Sequence, residues 1–180
     1  MIFDYANFKK SFSQERFEMI EIEITSDMID QARIRSDQLG ELKNSVTRGK
    51  GNMTGFLGEL VANQFIGGEI KNTYDYDILL EDGTTIDVKS KSCNSPPKPH
   101  FECSISDYNT KQKCDKYLFV RVLKDHSKAW ILGWIDKNAY YEKSDFYEQG
   151  QMDRSNGWRA KCDCWNLKIQ ELDQLDEVTG

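Results

Sequence analysis

YDYDILLEDGTTIDVKSK, residues 74–91, is the stretch whose reading decides the fold. Residues 76–80, YDILL, form one apolar arm headed by an aspartate, and residues 85–91, TIDVKSK, form a second. Glu81-Asp82-Gly83-Thr84 stands between them, and Asp-Gly between two apolar runs signals a hairpin turn. Side chains alternate faces along a strand, so Ile86 and Val88 point one way and Asp87, Lys89 and Lys91 the other. Pairing the arms brings Asp77 near Asp87. Two carboxylates held together repel unless a divalent cation lies between them. A lysine two residues beyond one of them is placed to meet an attacking water or a phosphate oxygen. Asp75 shares a face with Asp77, but Asp77 directly abuts Ile78-Leu79-Leu80 and is preferred.

Outward from the hairpin, residues 54–66 carry Phe56, Leu57, Leu60, Val61, Ala62 and Phe65, the broad apolar face of a core helix. Gly55 and Gly58 weaken a helix and so suggest close packing on a strand. Glu59 reads either as a surface glutamate at the helix edge or as a third acid reaching Asp77 and Asp87. Gly67-Gly68 ends the helix, and residues 69–71 make a short strand leading into the hairpin. On the other side, Pro96, Pro97 and Pro99 forbid regular structure in 92–99. Residues 100–106 read as a strand, 107–116 as a short helix, 116–123 as a buried strand and 130–135 as its antiparallel neighbour.

The flanks are plainer. Residues 17–25 alternate with period two, a half-buried strand, and Ser26-Asp27 caps a helix running to about residue 42. Phe3, Tyr5, Phe8 and Phe12 suggest a short N-terminal helix. Residues 43–52 form a basic loop whose Arg48 and Lys50 are candidates for phosphate contact; no Walker loop is present. After Asp136 the aromatics Tyr140, Tyr141, Phe146 and Tyr147 suit packing better than base stacking. Residues 165–169 read as an edge strand and 171–180 as a frayed acidic end.

The chain's 180 residues suit one domain with a real core. Charged residues at 30% and aromatics at 12% exclude disorder. No apolar run is long enough for a membrane span, and MIFDYANFKK lacks the order of a secretory signal. Five irregularly spaced cysteines suggest reduced thiols. Cys162 and Cys164 form a CxC pair rather than the zinc-type CxxC. His100 and His126 stand apart, which disfavours histidine-centred metal chemistry. The net charge of −6 does not advertise a nucleic-acid binder, but residues 86–124 hold eight Lys/Arg against four Asp/Glu. A locally basic site on an acidic protein fits a nuclease that binds little DNA at random.

Asp77 followed by Asp87-Val88-Lys89 resembles the D…(D/E)xK signature of the PD-(D/E)XK nuclease superfamily, with Tyr76 where a proline usually stands. The resemblance covers roughly residues 53–135. It implies an α/β (α+β) restriction-endonuclease-like core, a central mixed β-sheet flanked by helices, with N- and C-terminal additions at 1–52 and 136–180. It further implies a Mg²⁺-dependent deoxyribonuclease, an endonuclease, with Mn²⁺ as substitute metal. Asp77, Asp87, the Val88 carbonyl and Glu59 would bind the metal, and Lys89 would assist water attack. Lys91, Lys98, Lys111 and Lys113, with Arg48 and Lys50, are the candidate nucleic-acid contacts. DNA is the expected partner, dimers are common in the superfamily, and a cytoplasmic role in DNA repair or processing in a bacterium or phage-infected cell would fit. The alternatives are an inactive nucleic-acid-binding or structural protein of the same fold, and an unrelated α+β domain in which DVK is a surface strand.

Overall fold

The computed structural model describes residues 18–39, 52–71 and 73–175. The elements are β1 (Ile20–Glu23), α1 (Ser26–Leu39), α2 (Asn52–Ile66), β2 (Glu69–Ile70), β3 (Ile78–Leu79), β4 (Thr85–Cys93), β5 (Glu102–Ser106), β6 (Lys116–Leu123), β7 (Lys128–Asp136), α3 (Lys137–Lys143), β8 (Asp145–Tyr147) and β9 (Cys164–Lys168). A 3-10 segment, Asp107–Lys111, lies between β5 and β6.

The turn closes as its residues dictate. Asp82 Oδ1 accepts from the Thr84 N–H at 2.9 Å, the Leu80 N–H donates to the Thr84 carbonyl at 2.9 Å, and Gly83 takes φ +88°, which disfavours any residue with a Cβ. β3 and β4 then pair antiparallel, Ile78 opposite Ile86 and Leu79 opposite Thr85. Ile86 and Val88 are buried on one face. A slip of one residue would turn that face to water. Burying two such side chains is worth about 1.5–3 kcal/mol each, so the register is fixed.

Six strands form a mixed sheet in the order β1-β7-β6-β4-β3-β2. β4 and β6 run parallel, Ile86 opposite Lys116 through Cys93 opposite Leu123, and the other pairs are antiparallel. A second sheet has the order β5-β9-β8. α1 and α2 cover one face of the large sheet, where Leu57, Val61 and Ala62 meet Ile86, Val88, Leu118 and Val120. The smaller sheet and α3 cover the other face, where Ile105, Tyr140 and Leu167 meet Tyr117, Phe119 and Leu132. The chain is thus a mixed α+β protein.

Several expectations need correction. The helix expected over 107–116 is only the 3-10 segment, because Asp115 leaves it to accept from Thr85 N–H and Oγ1 at 2.8 and 2.7 Å. The strand expected over 100–106 is present as β5, and it belongs to the small sheet. β9 is the central strand of that sheet, not an edge, since β5 and β8 both pair with it. Residues 171–175 are tied down: Leu172 is buried and Asp173 exchanges two backbone hydrogen bonds with Trp134. Gly58 packs against β4 as expected, but a side chain at Gly55 would meet nothing. The helix expected around Phe3–Phe12 and the end of the acidic tail lie outside the described residues. Among the described residues no helix is long and apolar enough to cross a membrane.

Candidate active site

β3 begins opposite Ile86, the residue before Asp87 on β4, and Asp77 stands immediately ahead of it. The Asp77 N–H donates to the Ile86 carbonyl at 2.9 Å, and Asp77 Oδ2 accepts from the Val88 N–H at 2.7 Å. Val88 therefore directs its N–H toward the Asp77 side, and in an extended strand its carbonyl faces the same way. Asp87 is only 4% exposed, which excludes the surface-strand reading of DVK. Its Oδ2 lies 2.5 Å from Lys89 Nζ, an ion pair, yet no hydrogen bond of good geometry reaches that buried oxygen.

Glu59 comes from α2, which the close approach of Gly58 to Ser90 holds against β4. The carboxylate pairs with Arg35 of α1 at 2.7 Å, and the Arg35 guanidinium lies 4.3 Å from the centre of the Phe56 ring. Burial raises the pKa of Glu59; Arg35 opposes this and the charge on Asp87 adds to it. Asp77 is pushed up to about 8, first by burial, then by repulsion from Asp87 and Glu59. The three acids expected together are therefore near enough to act on one another's protons.

Gln112, which with its neighbours Lys111 and Lys113 reads from the sequence as able to grip a nucleic-acid backbone, turns into the site instead. It is buried, and its amide nitrogen donates to Asp87 Oδ1 at 3.1 Å and to the Tyr74 carbonyl at 2.8 Å, while its amide oxygen accepts from Lys89 Nζ at 2.9 Å. It thus holds the carboxylate and the ammonium in one relative position. Lys137 Nζ in turn donates to the Gln112 carbonyl. A glutamine between two lysines in a polar run carries no sequence signal for this; only the β4–β6 crossover brings it there. Asp75 is taken elsewhere, accepting from the Lys113 N–H at 3.1 Å.

The other expected contacts divide. Lys91 lines a cavity of about 320 Å³ together with Val88 and Lys89. Lys98, Lys111 and Lys113 are exposed and do not line it. Arg48 and Lys50 lie outside the described residues. Tyr140 is fully buried, its hydroxyl donating to the Cys103 and Trp165 carbonyls at 2.9 and 2.7 Å, so it serves packing. All five cysteines are free thiols.

Two aspartates, a strand carbonyl and a nearby glutamate are hard oxygen donors, and Asp87 Oδ2, buried with only the Lys89 ammonium against it, has room for a second cation; the set fits Mg²⁺ or Mn²⁺ rather than a soft metal. Among the described residues no three His, Cys, Asp or Glu side chains are already gathered as a ligand group. Glu59 is turned to Arg35 and Asp77 to the Val88 N–H, so a metal would enter only with side-chain movement.

The raised pKa of Asp77 has a measurable consequence. Between about pH 5 and pH 8 the unfolded chain has shed a proton that folded Asp77 keeps. The folded state then binds more protons, so stability in chelator falls as pH rises, at up to about 1.4 kcal/mol per pH unit. Carboxylates held low, such as Asp82 and Asp115, contribute below this window. Denaturant unfolding at pH 5 and pH 8 checks this. Asp77→Asn should flatten the slope, and a wild-type stability that rises with pH refutes it.

No protein-family model matches the chain, and comparison with curated proteins returns no match.

Proposed function

We propose that the chain is a divalent-metal-dependent nuclease of the PD-(D/E)XK kind that hydrolyses phosphodiester bonds in DNA. The observation that carries this reading is the buried Asp87–Lys89 pair on β4, with Asp77 bonded to the Val88 N–H between them and Glu59 on the helix packed against the same strand. A structural salt bridge alone would not need two further acids repelling it. The strand order β2-β3-β4-β6, with a hairpin and then a parallel crossover, supports the restriction-endonuclease-like arrangement.

Asp77, Asp87 and the Val88 carbonyl would hold Mg²⁺, with Glu59 joining once it leaves Arg35. When bound, the metal neutralises charge on the scissile phosphate and makes water a better nucleophile at neutral pH. Lys89 orients the attacking water and offers positive charge to a phosphate oxygen as the pentacovalent transition state forms. Gln112 keeps Lys89 beside Asp87, so the ammonium is in place before substrate arrives. Water gives up one proton to solvent as its oxygen bonds to phosphorus, one phosphorus–oxygen ester bond breaks, and the leaving oxygen takes up a proton from solvent.

Purified protein incubated with single-stranded, duplex and branched DNA plus Mg²⁺ or Mn²⁺ tests the reading, beside Asp87→Asn. The expected result is metal-dependent cutting that Asp87→Asn lowers by at least about a hundredfold, with weaker Mn²⁺ binding by calorimetry. No cutting on any substrate, with Mn²⁺ binding unaltered in Asp87→Asn, refutes it.

A further inference from the structure

The charged face of β4 continues beyond Lys89. Lys91 follows on the same face, about 6.6 Å further along the strand, and the parallel register sets Arg121 of β6 opposite it. Two cavities meet there. The one containing Val88 and Lys89 reaches Lys91 and Arg121. A second, of about 390 Å³, starts from the same Lys91 and Arg121 and runs to Phe101, Asn156 and Trp158. The two cavities thus adjoin at Lys91, Ser104 and Arg121, one beside Val88 and Lys89 and the other ending at aromatic rings.

Arg121 is 6% exposed. Its guanidinium donates to the Glu102 carbonyl at 2.6 Å, and among the described residues no carboxylate pairs with it. A guanidinium has five donors, and burying one without an anion is costly. The acid on this wall, Glu102, is engaged elsewhere, accepting from Asn166 Nδ2 at 2.9 Å. The Lys91 side chain is exposed; Arg121 and Lys161 repel its charge, while Glu102 attracts it. At Arg121 the wall thus holds a buried cation to which no carboxylate among the described residues is bonded.

The far end of the second cavity is built of flat rings. Phe101 is 39% exposed and meets the His100 ring edge-on at 4.9 Å. Trp158 is half-buried against Tyr147, with ring centres 5.7 Å apart. The loop carrying Trp158 is braced, because the Asp153 N–H donates to the Trp158 carbonyl at 2.7 Å and the Asp153 carboxylate accepts from Ser155 and Asn156. A buried cation beside rigid aromatic rings recognises a phosphate joined to a base with a free π-face. A base stacked and paired inside a duplex offers no such face.

We propose that this pair of cavities is a subsite for one unpaired nucleotide adjoining the cut phosphodiester, with its phosphate at Arg121 and Lys91 and its base stacked on Phe101 and Trp158. The assignment of the cut rests on the nuclease reading; the binding chemistry does not. The substrate is then single-stranded or frayed nucleic acid rather than blunt duplex. Stacking accepts any base, so sequence preference is weak.

Fluorescence anisotropy in EDTA measures binding without cutting, using a labelled single-stranded DNA and the same sequence as a blunt duplex. The single strand should bind at least about tenfold tighter; Trp158→Ala should weaken its binding about tenfold, and Trp158→Phe should keep most of it. Arg121→Gln should reduce the salt slope by about one phosphate contact. Because Arg121 is buried, the Trp158 pair decides the matter if Arg121→Gln does not fold. Equal affinity for duplex and single strand, or a folded Trp158→Ala with wild-type single-strand affinity, overturns the subsite. Parallel cleavage assays separate the two readings. Metal-dependent cutting with single-strand affinity indifferent to Trp158 refutes the subsite and keeps the nuclease. Trp158-dependent binding without cutting keeps the subsite and refutes the nuclease.

Discussion

Lys89→Ala is expected to lower metal-dependent cleavage by at least about a hundredfold while leaving DNA affinity in EDTA largely intact. The ammonium sits 2.5 Å from Asp87 and 2.9 Å from the Gln112 amide oxygen, so it is held in the site rather than spread over the binding surface. The substitution also leaves Asp87 buried without its cation. Truncating one partner of such a pair costs about 3 kcal/mol, so the metal-free variant should melt below wild type. Mg²⁺ or Mn²⁺ should raise its melting temperature more than that of wild type, because the metal replaces the missing positive charge. The variant therefore separates a folding defect from a chemical one. A stable variant that still cuts at the wild-type rate refutes the role of Lys89.

Gly58→Val is expected to destabilise the protein by about 3 kcal/mol, or roughly 6–12 °C in melting temperature. A Cβ at Gly58 would stand 1.7 Å from Ser90 Oγ and 2.7 Å from Ser90 Cβ. The hydroxyl can rotate away, but the Cβ cannot, so α2 must lift off β4. The clash outweighs the roughly 1 kcal/mol by which a glycine inside a helix is disfavoured. Ser90 Oγ is buried and receives no hydrogen bond, so Ser90→Gly sacrifices no partner. The milder Gly58→Ala should accordingly recover much of its stability when combined with Ser90→Gly. Since Glu59 is the next residue, displacing α2 should also lower cleavage where the fold survives. Unaltered melting of Gly58→Val would refute this packing.

The hairpin was legible because its signals are local. Asp82-Gly83 specifies the turn, alternation specifies which residues are buried, and both act within one strand pair. The same locality identified α2, β6 and β7, whose apolar patterns leave one arrangement that buries them. Asp77, Asp87 and Lys89 could be placed together because hairpin pairing alone determines their neighbourhood. The 3-10 segment and β9 were misread because their form depends on partners far away in sequence. Asp115 binds Thr85, and β9 finds a strand on each side only once β5 joins the small sheet.

The sequence by itself determined the hairpin, the core helix and the acidic pair with its lysine, since periodicity and turn chemistry act between neighbours. The tertiary structure alone decided that Glu59 is tied to Arg35, that Gln112 bridges Asp87 and Lys89, and that Arg121 lies buried beside Lys91 on the way to Trp158. Those relations join residues on separate elements. A side chain's charge and burial there depend on what the folded chain sets against it, not on its own neighbours in sequence.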